Sequence, residues 1–256
     1  MTPELQEKVS GLIITYNEEK NIREVLECFD FCDEIIVIDS FSTDQTTKIA
    51  SEFPKTTVIQ NTFEDFTQQR NLALQYAKND WVLFLDGDER ITPKLREEII
   101  SELNKADKCD AYYFPRQFYF AGKKLNYSGT QNDRNFRLFR KSKAHYVQDK
   151  KVHETLKVSG QICTLRNKLQ HFSVSDYGSY KEKMIHYGNL KGEELAHKGK
   201  NYSVLSQNSK TFFKFFKSYV INLGFLDGKA GFDLSYLQSL YVYQTYESLK
   251  KHQKKS

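Results

Sequence analysis

The chain has 256 residues, 39% of them hydrophobic, and a formal net charge of +5, which suits one substantial core and a single catalytic-sized unit spanning 1–256. No stretch approaches the roughly 20 continuous apolar residues of a membrane span, and the N-terminus has no signal-peptide pattern, so a bilayer-crossing protein is not expected. Cys28, Cys32, Cys109 and Cys163 form no C-x-x-C pair; neither a zinc knuckle nor a disulfide scaffold follows, and a reducing compartment suits them.

Residues 11–15 (GLIIT) read as a first strand, followed by Ile22, Val25, Leu26 and Phe29 at helical spacing. A second apolar strand, 34–38, ends at Asp39. The polar run 40–44 then suits a turn and helix cap before Ile49, Ala50 and Phe53. A third strand begins at 57–59, a helix covers 66–77, and a fourth strand covers 81–85. Thr92-Pro93 forms an N-cap and N1 pair for the helix carrying Leu95, Ile99 and Leu103. Apolar strands alternating with helices predict an α/β fold with an open, mainly parallel sheet flanked by helices. In such a sheet the strand C-termini build the site.

The pattern changes near residue 110, to aromatic and basic segments such as 111–114 (AYYF) and 136–140 (FRLFR). The strand-end site then falls within 1–110, and residues 111–256 are expected to complete the same fold and shape a second substrate pocket. Within the second half, 211–220 (TFFKFFKSYV) predicts a helix with Phe212, Phe216 and Tyr219 on one side and Lys214 and Lys217 within reach of lipid phosphates. A long packing helix is expected over 234–249, giving a helical, basic-aromatic C-terminal region.

Asp39 and Asp86 each end a strand, and Asp88 and Glu89 follow at once. Like charges at one sheet edge are costly without a cation or hydrogen-bond donors. Mg²⁺ or Mn²⁺ is the hard cation that fits carboxylates together with phosphate oxygens. No P-loop and no G-x-G-x-x-G follows the first strand, which argues against the common ATPase and dinucleotide-binding designs. The basic and aromatic residues alone also suit a nucleic-acid-binding protein, or a membrane-surface protein without turnover, but neither accounts for the strand-end acids. No nucleic-acid partner is expected.

Three ordered segments, Thr15-Tyr16-Asn17-Glu18, Ile36-Val37-Ile38-Asp39-Ser40 with Thr43-Asp44, and Phe84-Leu85-Asp86-Gly87-Asp88-Glu89, resemble the inverting glycosyltransferases of family 2. With Val152-His153-Glu154, Phe225-Leu226-Asp227-Gly228 and Gly231-Phe232, the chain is similar to the lipopolysaccharide core β-1,4-glucosyltransferase group. The resemblance implies a GT-A-like fold and transfer of glucose from UDP-glucose to the lipopolysaccharide inner core with a β linkage. The alternative is a UDP-hexose or UDP-N-acetylhexosamine donor and another bacterial glycan or lipid-linked acceptor. It implies that Tyr16 and Glu18 border the nucleotide, Asp39 contacts uracil or ribose, Asp86 contacts ribose or donor sugar, and Asp88 takes part in catalysis as a metal ligand. Arg70 approaches the diphosphate, and Arg134 and Arg137 clamp it or an anionic acceptor. The family's usual Glu-Asp base pair is absent in that form. Glu154 is the expected base, and His153 a substrate contact or metal ligand. Such an enzyme is expected in the cytoplasm, held peripherally on the anionic inner face of the bacterial inner membrane.

Overall fold

The structure, a computed structural model, describes residues 5–147, 155–174 and 176–253. The chain divides into two compact units, residues 1–116 with 134–171, and residues 117–133 with 172–256.

The first unit starts with β1 (Val9–Thr15), α1 (Ile22–Glu27), β2 (Glu34–Asp39), α2 (Thr46–Ser51), β3 (Thr56–Gln60), α3 (Phe66–Tyr76) and β4 (Trp81–Leu85). The strands lie in the order β3-β2-β1-β4, all parallel. Alternation along these strands feeds two cores. Val9 and Ile13 of β1, Val37 of β2 and Leu83 of β4 pack with Ile22, Val25 and Phe29. Leu12, Ile36, Ile38, Val82 and Phe84 face the other way, toward Ala73 and Leu74 of α3. Each such side chain contributes roughly 1.5–3 kcal/mol by leaving water, so the central strands anchor whatever their ends carry.

After β5 (Glu89–Arg90) and α4 (Pro93–Leu103) come β6 (Ala111–Phe120), β7 (Lys123–Lys124), β8 (Arg134–Arg140), β9 (Ala144–Tyr146), β10 (Leu156–Val158), β11 (Ile162–Thr164) and β12 (Leu169–Val174). The α4 start is as predicted: Thr92 accepts from the Leu95 N–H at 3.2 Å and Pro93 takes the first turn. β8 runs antiparallel between β4 and β6, and the sheet continues through β12 to β5. The sheet is thus mixed, with a parallel βα half and an antiparallel half. Cys109 and Cys163 are joined by a disulfide, Cα atoms 6.0 Å apart, a pairing their spacing did not suggest. It arises because β11 runs beside β6, setting Cys163 opposite Tyr112.

The second unit holds α5 (Tyr177–His197), α6 (Val204–Phe216) and α7 (Gly228–Gln253). Its core gathers Phe120, Leu125, Val174, Ala230, Leu234 and Leu237. α7 extends well beyond the expected 234–249. The helix expected over 211–220 is the end of α6 followed by a π-helical turn over Lys217–Ile221. α5 crosses α7 closely because Gly188 and Gly192, four apart, share one helix face. A Cβ at 192 would lie 2.4 Å from both the Thr245 carbonyl oxygen and Ser248 Cβ. Gly192→Ala is therefore expected to destabilise this unit by about 1–3 kcal/mol, outweighing the gain in helix propensity; urea denaturation measures it. Among the described residues no helix is long and apolar enough to cross a membrane.

Candidate active site

Because β2, β1 and β4 are adjacent and parallel, their C-terminal ends bring Asp39, Thr15 and the 86–89 turn to one edge of the sheet. Asp39 is fully buried. Its carboxylate accepts from the Thr15 hydroxyl at 3.1 Å, from the Ser42 hydroxyl, from the Ser42 N–H at 2.9 Å and from the Gln60 amide at 3.4 Å. Those four bonds use the capacity of a carboxylate and hold the 40–44 loop in place. Two residues of this rim sit in the left-handed region: Asn17 at φ 55° and Phe41 at φ 59°. Asn17 is held there by bonds between its backbone N–H and Ser42 and between its side-chain oxygen and the Thr43 N–H. For the bulky, half-exposed Phe41 the conformation is strained, as is common at binding loops. Tyr16, 59% exposed at the end of β1, presents a second ring to solvent.

α3 connects this loop to the acidic turn. Its cap, Asp65, accepts from the Gln68 N–H at 2.8 Å. One turn on, Gln69 donates to the Ser40 hydroxyl at 2.9 Å while the adjacent Arg70 reaches the Asp86 carboxylate at 2.7 Å. Arg70 also lies over the Phe84 ring, 4.5 Å from its centroid. From β8, Arg137 forks onto Glu89 with bonds of 2.7 and 2.8 Å and also bonds Asp86. Arg116 approaches Glu89 at 3.4 Å. Burial alone would push the Asp86 carboxyl up, but Arg137 and Arg70 hold it well below the usual carboxylate range. Glu89 is wholly buried, so its charge is balanced by this internal network rather than by water.

Asp88 points elsewhere. Its carboxylate lies 3.3 Å from His171 Nε2, and β12 sets His171 opposite Glu89 on β5. The Asp88 side chain is 35% exposed and that of His171 12%. Glu18 closes the turn from the other side. It accepts from the Asn21 amide at 2.7 Å, and a Cβ at position 87 would sit 2.9 Å from its carboxyl carbon, which is why Gly87 separates the two aspartates. Burial raises the Glu18 carboxyl above its ordinary value; the Asn21 bond opposes this and the nearby Asp88 charge adds to it.

The structure thus assembles Glu18, Asp39, Arg70, Asp86, Asp88 and Arg137 around one sheet edge, with Tyr16 on its rim. Arg137 does not face solvent as a free clamp: it is 4% exposed and engaged by two carboxylates. Arg134 is not part of the network; it is exposed, 4.7 Å over the Tyr113 ring, and approaches Thr164. His153 and Glu154 lie outside the described residues. The sequence reading missed Arg116 and His171 and gave Glu89 no role of its own. Glu89 was visible in the DGDE run, but His171, in a strand of otherwise ordinary composition, becomes a neighbour of Asp88 only through the β12–β5 pairing.

A divalent cation fits the chemistry of this edge. Among the described residues no three His, Cys, Asp or Glu side chains form a cation cage. Asp88 and His171 together offer one carboxylate oxygen and one imidazole nitrogen at a partly open position. Mg²⁺ and Mn²⁺ sites commonly take few protein ligands and complete themselves with phosphate oxygens and water.

A parallel sheet edge lined with carboxylates beside an arginine network puts polar groups at the strand C-termini, where open α/β sheets bind their ligands. The chain belongs to glycosyltransferase family 2: the family model, Glycosyl transferase family 2, matches residues 10–168. It is 27% identical over 258 residues to the lipopolysaccharide core biosynthesis glycosyltransferase LpsC of Rhizobium meliloti, covering 95% of this chain and 94% of that protein. It is 28% identical to the Rickettsia conorii glycosyltransferase RC0292, over 91% of this chain and 86% of that one. Among solved structures, S. aureus TarS 1-349 superposes with a TM-score of 0.51 at 14% identity, over 97% of this chain and 92% of that one. The same protein in complex with UDP superposes at 0.50. The shared GT-A-like α/β fold follows from that likeness.

Proposed function

We propose that this glycosyltransferase is an inverting, metal-dependent enzyme that transfers glucose from UDP-glucose to the inner core of lipopolysaccharide, forming a β linkage. The carrying observation is the strand-end edge itself, where Asp39, Asp86 and Asp88 converge and Asp88 is left partly open beside His171. The near full-length likeness to LpsC supports the acceptor, and UDP in the TarS complex supports the donor class.

In this reading Tyr16 and Phe41 flank the base. Asp39 reaches uracil or ribose by giving up its weakest bond, the 3.4 Å one to Gln60. Arg70 and Arg137 hold Asp86 ionised and fixed as a ribose or sugar acceptor of hydrogen bonds. Asp88 and His171 hold the cation, which when bound neutralises charge on the departing diphosphate. Glu154 takes the acceptor hydroxyl proton. No covalent intermediate is needed for inversion.

The test is a panel of UDP-sugars with truncated lipopolysaccharide acceptors, with and without cation, and determination of the product linkage. Cation-dependent β-glucosyl transfer is the expected result. Transfer of another hexose or an N-acetylhexosamine instead favours the alternative, a different bacterial glycan or lipid-linked acceptor, and no transfer to any acceptor overturns the acceptor assignment.

The second unit supports a peripheral site at the cytoplasmic face of the inner membrane. Phe212, Phe213 and Phe216 of α6 and Val220 and Ile221 of the π-turn are exposed, on a segment whose charged residues are all lysines. Phe212→Ser with Phe216→Ser is expected to reduce cosedimentation with phosphatidylglycerol vesicles at least tenfold, since each ring removed forfeits roughly 1.5–3 kcal/mol of burial, while leaving UDP affinity unchanged.

A further inference from the structure

The second unit contains an open cavity of about 660 Å³, within the range that holds small ligands. Lys210, Lys214 and Lys217 line one wall, and Asn132, Asn222 and Gln238 supply amides around it; among the described residues no carboxylate lines it. The three lysines recur at i, i+4 and i+7, so they share one helical face, and like charges so aligned repel unless an anion joins them. Lys210 is steadied by a 2.6 Å bond to the Tyr246 hydroxyl. Burial pulls the Lys214 ammonium below its ordinary value, and the neighbouring Lys217 pulls it further. Hydrogen bonds tie the cavity's rim and the residues behind it together. Asp227 accepts from the Asn126 and Tyr127 N–H groups at 2.9 Å each, Gln131 donates to the Asn222 carbonyl at 3.0 Å, and Ser218 donates to the Ser128 carbonyl at 3.1 Å. A rim tied together by these bonds beside a row of three lysines holds its polar groups in place before a ligand arrives.

We propose that this cavity binds the anionic group of a saccharide, a phosphate or carboxylate carried on a sugar, with the lysines taking the charge and the amides taking adjoining hydroxyls. As the acceptor's anchoring point it rests on the glycosyltransferase reading above. A phosphate seated there has two sources, a sugar phosphate or a lipid headgroup, and the saccharide is the one the amides fit.

Binding to the full chain is measured by calorimetry with glucose 6-phosphate, glucuronate, inorganic phosphate and neutral glucose, and by sedimentation with phosphatidylglycerol vesicles. Glucose 6-phosphate or glucuronate is expected to bind at least tenfold more tightly than glucose or inorganic phosphate. Lys214→Gln with Lys217→Gln is expected to abolish that preference, and Gln238→Leu to weaken the sugar anions but not inorganic phosphate. UDP affinity of each variant reports that the fold is intact. Loss of vesicle binding with no change for sugar anions assigns the lysines to lipid and overturns the proposal, as does equal affinity for glucose and glucose 6-phosphate. In transfer assays, a rise in acceptor KM of tenfold or more in the lysine double variant supports the anchoring role. Normal transfer by that variant overturns it while leaving the transferase reading standing. Sugar-anion binding without transfer to any acceptor overturns the lipopolysaccharide reading while leaving the cavity's assignment standing.

Discussion

Arg137→Met is expected to destabilise the first unit by about 3–5 kcal/mol, the cost of removing one partner from a buried ionic network. For a chain of this size the thermal midpoint then falls by roughly 10 °C or more. Glu89 has no exposed surface and takes two bonds from this one guanidinium; without it the 3.2 Å bond from the Asp86 N–H and the 3.4 Å approach of Arg116 remain, a single distant cation for a buried charge. Asp86 keeps Arg70. The charge stranded on Glu89 is thus the main cost. Adding Glu89→Gln to Arg137→Met is therefore expected to recover at least about 1 kcal/mol, a non-additivity that a double-mutant cycle in urea measures. An equal loss in both variants would mean that Arg137 acts through packing alone.

The same network sets an acid limit. The folded Asp86 carboxyl lies below its unfolded value, held there by Arg137 and Arg70 against burial. A depressed acid contributes stability that is complete above its unfolded value, near pH 4, and is lost as pH falls through the folded one. Wild-type stability is expected to decline below about pH 4, and Asp86→Asn to flatten that decline; denaturation midpoints from pH 2 to 6 test the sign.

The parallel half of the fold was legible in the sequence because its signals are local. Residues 11–15, 34–38 and 81–85 are short apolar runs, each leading into helix spacing, and Thr92-Pro93 is a start signal readable without neighbours. The strands after β4 were not, since β5, β7, β10 and β11 are two or three residues long and exist only through their partners. The site divides in the same way. Asp39, Asp86 and Asp88 were readable as strand-end acids. Arg137 was legible as a binding group but not as a buried counter-ion, because that depends on the antiparallel pairing of β8 with β4 at Leu83↔Leu138. Arg134 and Arg137 stand either side of a break in the β8–β6 register, which pairs Tyr112 with Leu138 but Tyr113 with Phe136, so strand alternation alone did not separate them: Arg134 lies exposed over the Tyr113 ring while Arg137 is buried against Asp86 and Glu89.

Asp88→Asn is expected to lower kcat/KM for transfer by about 10²–10⁴-fold, the equivalent of several kcal/mol of lost charge stabilisation on the diphosphate, with little change in folding stability. The asymmetry with Asp86 follows from placement. The two side chains are similarly exposed, 29% and 35%, but Asp86 is clasped by two arginines, whereas Asp88 has His171 beside it at 3.3 Å. If these two groups act as one cation-holding pair, His171→Ala should also cost activity, by at least about tenfold, and the double variant should cost little more than Asp88→Asn alone, since members of a catalytic unit are not additive. Mn²⁺ affinity, measured by electron paramagnetic resonance with UDP present, should fall in both single variants. Normal Mn²⁺ binding in Asp88→Asn, with activity still lost, would remove Asp88 from cation binding and leave it a hydrogen-bonding role toward the donor. Normal activity in His171→Ala would confine His171 to orienting the Asp88 turn through β12.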